Sequence, residues 1–144
     1  MNDTYIYYGS RGASKIRMQA EQDEGARGYS EANAVSRTVS KSSHLYKNSS
    51  WDLVDAVENE EVVVSEIATS ELPEELKGKS KKEISAYIEK KSKERDAIKA
   101  EIQELNNKRR DFIAKKQKDE TSNLQNAMLR AIKTQAKKKN YQWN

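Results

Sequence analysis

An all-α fold is what this sequence predicts, drawn as an extended helical hairpin or coiled-coil-like helices joined by flexible connectors. Three observations predict it. The chain is 35% hydrophobic and 35% charged, with a mean hydropathy of −1.06. Ordinary globular chains are about 45–50% apolar, so this one has little with which to bury a large core. It holds one Pro and 5 Gly in 144 residues, which lets helices run with few breaks. Between Ile84 and Phe112 a stripe recurs at alternating steps of four and three, the seam of a heptad repeat. Only Val62-Val63-Val64 hints at the β-branched pattern of a strand.

The elements follow in order. Thr4 to Tyr8, ahead of Gly9-Ser10-Arg11-Gly12, reads as the end of an element running into a turn, so residues 1–12 form a first segment. Residues 13–57 carry short helices. One runs from Ala13 to about Tyr29, weakened near its end by Gly25 and Gly28. A second restarts at Ser30 to Asn33 with Ala34, Val35 and Val39 on a thin apolar face that needs partners. At Ser49 the sequence offers an N-cap, with Asp52 completing a box-like arrangement in the first turn. Behind it Trp51, Val54 and Val57 share one helical side, with Leu53 beside them. A Trp at this spacing is read as an anchor to a neighbouring helix rather than a platform for a ligand.

Residues 58–79 are expected to be an acidic linker holding one short helix between Pro73 and Gly78. Residues 80–139 are expected to form a long helix plus a C-terminal one. Ser80 and Glu83 make a capping box. The helix it opens should run to Lys118, on the stripe Ile84, Ile88, Lys91, Arg95, Ile98, Ile102, Leu105, Arg109 and Phe112. Its three cations are expected to lay their stems on a partner and keep their heads in water. Asp119 to Asn123 should break the helix, and Ser122 should cap a return helix through Leu124, Ala127, Met128, Ala131, Ile132 and Ala136. The packing or interaction candidates are therefore Trp51, Leu53, Val54, Val57, Ile98, Ile102, Leu105 and Phe112.

Chemistry is sparse. There are no cysteines, and His44 is the only histidine, so the sequence offers no metal cluster; no Gly-rich phosphate loop occurs either. Ser42, Ser43 and His44 are chain neighbours, which rarely face one another productively. No catalytic, cofactor-binding or metal-binding residue is assigned, and the reading is a non-enzyme. No apolar run approaches the roughly 20 residues of a membrane span, and Met1 to Thr4 does not open a signal peptide. Charge is divided unevenly. Residues 1–78 hold 8 Lys+Arg against 14 Asp+Glu, a balance of −6, and residues 79–144 hold 19 against 9, a balance of +10. The favoured reading is that the two halves neutralise each other as solvated helices. The alternative is a basic helical binder of nucleic acid or an anionic surface through residues 79–144. The signal for nucleic acid is weak, because of the basic half's aromatics, Tyr87, Phe112, Tyr141 and Trp143, the first two lie on or near the apolar stripe.

Residues 43–56, Ser-His-Leu-Tyr-Lys-Asn-Ser-Ser-Trp-Asp-Leu-Val-Asp-Ala, resemble the C-terminal region of secreted bacterial von Willebrand factor type A (VWA) domain proteins. Further matching stretches are Asn2 to Gly9, Ala34 to Arg37, Leu72 to Ser80, Ile102 to Asn106, Ala127-Met128 and Gln135 to Tyr141, so the resemblance spans nearly the whole chain. Its most specific parts are Ser50 to Ala56 and Leu72 to Leu76. In that family a signal peptide and a VWA domain, a doubly wound sheet with a metal site on Asp-x-Ser-x-Ser, precede this region. The present sequence has no Asp-x-Ser-x-Ser, so the metal site does not carry over. Residues 2–8 resemble the exit from the last VWA helix, and the chain is expected to be the tail of such a protein without its head. The resemblance implies a periplasmic, envelope or secreted setting and a binding rather than catalytic role. Together with the seam broken by Lys and Arg and the lack of catalytic residues, it gives the expectation of a helical interaction or scaffolding module. Its implied partner is a VWA domain of the same or a neighbouring chain.

Overall fold

Side-chain caps mark the starts of the α-helices after the first. The computed structural model describes residues 1–138 as an all-α protein with α1 (Gly12–Tyr29), α2 (Glu31–Ser42), α3 (Leu53–Glu58) and α4 (Lys81–Lys138). Ser30, extended at φ −170°, separates α1 from α2, and its hydroxyl accepts from the Asn33 amide at 3.1 Å. Ser80 opens α4 by the reciprocal box: its amide donates to Glu83 Oε2 at 2.8 Å and its Oγ accepts from the Glu83 amide at 3.3 Å. Ser49 does not cap α3, contrary to the sequence expectation. Asp52 does, accepting from the Asp55 amide at 3.3 Å, while Ser49 Oγ is turned to Glu61 at 2.8 Å. A carboxylate at this position satisfies an orphan amide and favours the helix dipole, so the helix starts at Leu53.

The described chain divides into two units, Met1–Glu104 and a second that begins at Leu105. In the first, a 3-10 turn at Asn2–Thr4 leads into extended residues 5–8, which pair with the start of α3. The Leu53 amide donates to the Ile6 carbonyl at 2.8 Å and the Tyr8 amide to the Trp51 carbonyl at 2.9 Å. Gly9 then turns at φ +72°, where a side chain would be strained. Gly12 lets α1 begin against Tyr7, since an added Cβ would stand 3.1 Å from the Tyr7 Cβ.

The core joins Ile6, Leu53 and Val54 to Ile67, Leu72 and Leu76, and to Ile84 and Ile88 of α4. Residues 58–79 are therefore more than a linker. Three 3-10 turns at Val64–Glu66, Thr69–Glu71 and Glu74–Leu76 fold the segment so that its apolar side chains enter the core. Each such side chain contributes about 1.5–3 kcal/mol when fully buried, which offsets part of the cost of ordering the segment, about 1–2 kcal/mol per residue of backbone. Lys81 Nζ reinforces the segment by donating to the Ile67 carbonyl at 2.7 Å.

The helical hairpin does not form. Residues 119–123 lie inside α4, and Ser122 caps nothing. None of the five is Gly or Pro, and each costs an exposed helix at most about 0.7 kcal/mol relative to Ala. Thr121 Oγ1 folds back onto the Gln117 carbonyl at 2.8 Å instead of breaking the turn. In the second unit the residues from 105 to 138 are helical throughout, and nearly all are exposed.

Candidate functional site

The most densely connected polar site of the first unit is built around Arg95, a residue of the α4 stripe. Sequence spacing led to the expectation that its head stays in water; instead it is 1% exposed. The reason is the pair of carboxylates at the start of α3. Nη1 donates to Asp52 Oδ2 and to Asp55 Oδ1, each at 2.6 Å. Nε donates to Thr4 Oγ1 at 3.0 Å and Nη2 to the Thr4 carbonyl at 2.7 Å. Asp52 also accepts from the Ile6 amide at 2.9 Å, and Asp55 Oδ2 from the Asn48 amide at 2.7 Å. Burial pushes the Asp52 carboxyl above its ordinary value, against the opposing pull of the Arg95 guanidinium and the Ile6 amide. Burial works against the charge on Arg95 too, yet its hydrogen bond to Asp52 and the charges of Asp52 and Asp55 hold its pKa above the usual one.

Two aromatic rings close this network. Tyr5 lies 4.9 Å from the Arg95 guanidinium carbon and 5.1 Å from the Trp51 ring centre, at an interplanar angle of 58°. Lys41 Nζ reaches the same Tyr5 ring at 5.5 Å. Burial, then the neighbouring Tyr46, push the Tyr5 phenol well above its ordinary pKa. Its hydroxyl has no hydrogen-bond partner among the described residues.

Lys41 continues into a second polar cluster. It donates to Asp23 at 2.7 Å and to Asn2 at 2.6 Å, while Arg37 meets the other Asp23 oxygen at 2.5 Å. Burial alone would raise the Asp23 pKa, but hydrogen bonds from Lys41, Asn2 and Arg37 prevail and hold it at about 2. Beside these groups opens a cleft of about 420 Å³, whose walls include Ala26, Ala34, Ile98 and Ile102.

The sequence candidates are dispersed over these places. Leu53 and Val54 are in the core and Val57 packs against it, whereas Trp51 is held by Tyr5 outside that apolar cluster. Ile98 and Ile102 wall the cleft. Leu105 and Phe112 belong to the other unit and are 55% and 61% exposed. Sequence reasoning missed Arg95, Asp55, Thr4, Asp23 and Lys41 as a connected set. One signal was present: a cation at a seam position where an apolar residue was due, in a chain with two acids three residues apart at 52 and 55.

What the networks do is hold charge in place. Apart from the Tyr5 hydroxyl and the Asn48 side-chain nitrogen, the buried polar side-chain atoms of these networks have hydrogen-bond partners, which rigidifies the places they join. His44, the one histidine, is exposed, and among the described residues no group of three or more His, Asp or Glu is placed to hold a metal. No helix of the described residues is long and apolar enough to cross a membrane. Comparison of the chain with protein-family models, curated proteins and solved structures gives no match.

Proposed function

We propose that this chain is a non-catalytic helical interaction or scaffolding module, the C-terminal extension of a VWA-type binding protein of the bacterial envelope or secreted space. One observation carries the interaction role. Between 105 and 138 the helix shows Leu105, Phe112, Ile113, Leu124, Met128, Leu129 and Ile132 to solvent, each at least 36% exposed. Helices take most of their stability from packing an apolar face, and runs of exposed apolar side chains mark surfaces that another molecule covers. The first unit supports the scaffolding half of the reading, because most of its buried polar groups are paired with one another. The VWA assignment rests on the resemblance of residues 43–56 and 72–80. Chromatography with light scattering on the chain alone and mixed with a VWA domain encoded beside it tests the pairing. Co-elution as a defined complex is expected; a chain that stays monomeric and indifferent to that domain overturns it.

The second reading, a basic binder of nucleic acid or an anionic surface through residues 79–144, draws on one further observation. Residues 105–138 hold 10 Lys+Arg against 3 Asp+Glu. Binding through phosphates would weaken steeply with salt. Filter binding at low salt that retains no nucleic acid would remove it.

A further inference from the structure

Leu105, Arg109, Phe112 and Lys116 stand at successive steps of four, three and four along α4, all four exposed. At about 100° per residue these steps place them on one narrow stripe, apolar and cationic in alternation. The stripe carries on the heptad register of Ile84, Ile88 and Ile98, but where those residues have protein around them, Leu105 and Phe112 are 55% and 61% exposed. Lys116 Nζ sits 5.5 Å from the centre of the Phe112 ring, so charge and apolar surface are joined in one patch.

We infer that this stripe docks an acidic amphipathic helix of a partner protein, its apolar seam on Leu105 and Phe112 and its carboxylates on Arg109 and Lys116. The inference rests on the interaction reading above and names the partner's chemistry. Two physical arguments select this occupant. Apolar residues seven apart, interleaved at four, are the spacing at which a second helix offers holes for knobs. Charge decides the rest. Residues 105–118 hold 6 Lys+Arg against one acid, Asp111. A second copy of the same stretch would bring like charges together, a juxtaposition that costs several kcal/mol across an interface. Acids facing Arg109 and Lys116 relieve it, and Arg forks a carboxylate with two parallel bonds. Nucleic acid would satisfy the cations but offers no holes for Leu105 and Phe112.

The test uses the full chain and fluorescence anisotropy with a labelled synthetic helix bearing leucine at one seam position and glutamate at the others. Its counterpart with lysine in place of glutamate, duplex DNA and phosphatidylserine vesicles are the other arms. Saturable binding of the glutamate helix is expected, with none of the lysine helix. The pair Leu105→Ser and Phe112→Ser should weaken it at least about tenfold, a loss of roughly 1.4 kcal/mol. Arg109→Gln with Lys116→Gln should weaken it similarly and flatten its dependence on salt. Both pairs alter exposed side chains, and circular dichroism confirms that helix content is kept. Equal binding of the lysine helix through Leu105 and Phe112 overturns the acidic partner while leaving the interaction reading standing. DNA or vesicles bound in place of the helix overturn it in favour of those surfaces, and self-association abolished by the Leu105/Phe112 pair does so in favour of a second copy. If no probe binds and no variant changes anything, the inference and the reading beneath it both fall.

Discussion

Arg95 and Asp52 are 43 residues apart, and a guanidinium nitrogen of one lies 2.6 Å from a carboxylate oxygen of the other, with both side chains at 1% exposure or less. Through this contact α4 is tied to the start of α3, and through Thr4 to the N-terminal turn. A buried pair of this kind is weak grounds for claiming net stabilisation, since desolvation offsets much of the attraction. Removing one partner is another matter. Arg95→Met leaves Asp52 and Asp55 buried without their cation and should cost about 3–5 kcal/mol in urea unfolding. Loss of less than about 1 kcal/mol would mean that the carboxylates find water at once and that the site is not a structural tie.

How much of this was legible in the sequence depends on the range of the interaction. Ser80 was legible as a cap, and the Ser30 to Asn33 stretch as a helix restart, because a cap is a contact between residues three apart. Helix class was legible because composition and periodicity are summed over many residues. Asp52 was legible only as a first-turn acid completing a box-like arrangement with Ser49, since its partners Ile6 and Arg95 lie 46 and 43 residues away. No local pattern reports such a pairing. The polar run at 119–123 was read as a break, yet without Gly or Pro its residues are merely weaker helix formers. Leu105 and Phe112 were legible as a seam but not as an exposed one, because periodicity says which face is apolar and not what covers it.

The Tyr5 hydroxyl gives a prediction of the opposite sign to most core changes. It is buried, and no described residue bonds to it. A buried hydroxyl left unpaired costs about 1–3 kcal/mol, and Phe keeps the ring over Arg95 and against Trp51. Tyr5→Phe should therefore raise the melting temperature, by several degrees if about 1 kcal/mol is recovered in a chain of this size. A fall in melting temperature would show that the hydroxyl is in fact bonded.

Acid sensitivity should centre on Asp23. Its folded pKa, about 2, lies below its ordinary value of 3.8. A carboxyl depressed on folding contributes stability that is complete above the ordinary value and lost as pH falls from about 4 towards 2. Asp52, raised by burial, acts in the opposite sense, so the informative quantity is a difference between proteins. Stability measured against pH for the parent and for Asp23→Asn should diverge above pH 4 and converge near pH 2. Parallel curves throughout would show that the bonds from Lys41, Asn2 and Arg37 do not depend on the charge of Asp23.

The stripe along α4 should divide in its energetics. Ile84 is 2% exposed, within the apolar core, and Ile84→Ala should cost about 2–5 kcal/mol. Phe112→Ala, on an exposed ring, should stay within about 0.5 kcal/mol. Equal losses at the two positions in denaturant titrations would mean that Phe112 is covered in the free protein, and would remove the ground for a docking stripe.

Trp51 gives the sharpest test of the first unit. It is 4% exposed, its carbonyl accepts from the Tyr8 amide, and its ring lies against Tyr5. Such a ring should fluoresce at short wavelength and resist quenching by iodide. The sequence has a second tryptophan, Trp143, outside the described residues, so the measurement belongs in a Trp143→Phe background. Trp51→Ala should cost about 3–5 kcal/mol, as truncation of a buried aromatic does when its surroundings relax only in part. The loss should also be coupled to Tyr5. Beyond shared burial an aromatic pair contributes about 0.5–1.5 kcal/mol, so Trp51→Ala combined with Tyr5→Leu should cost less than the two changes taken separately. Strict additivity would place the stabilisation in burial alone. A quenchable Trp51 with no effect on stability would make the ring an open surface, and Ser50 to Ala56 would then be read as a recognition segment in place of an anchor.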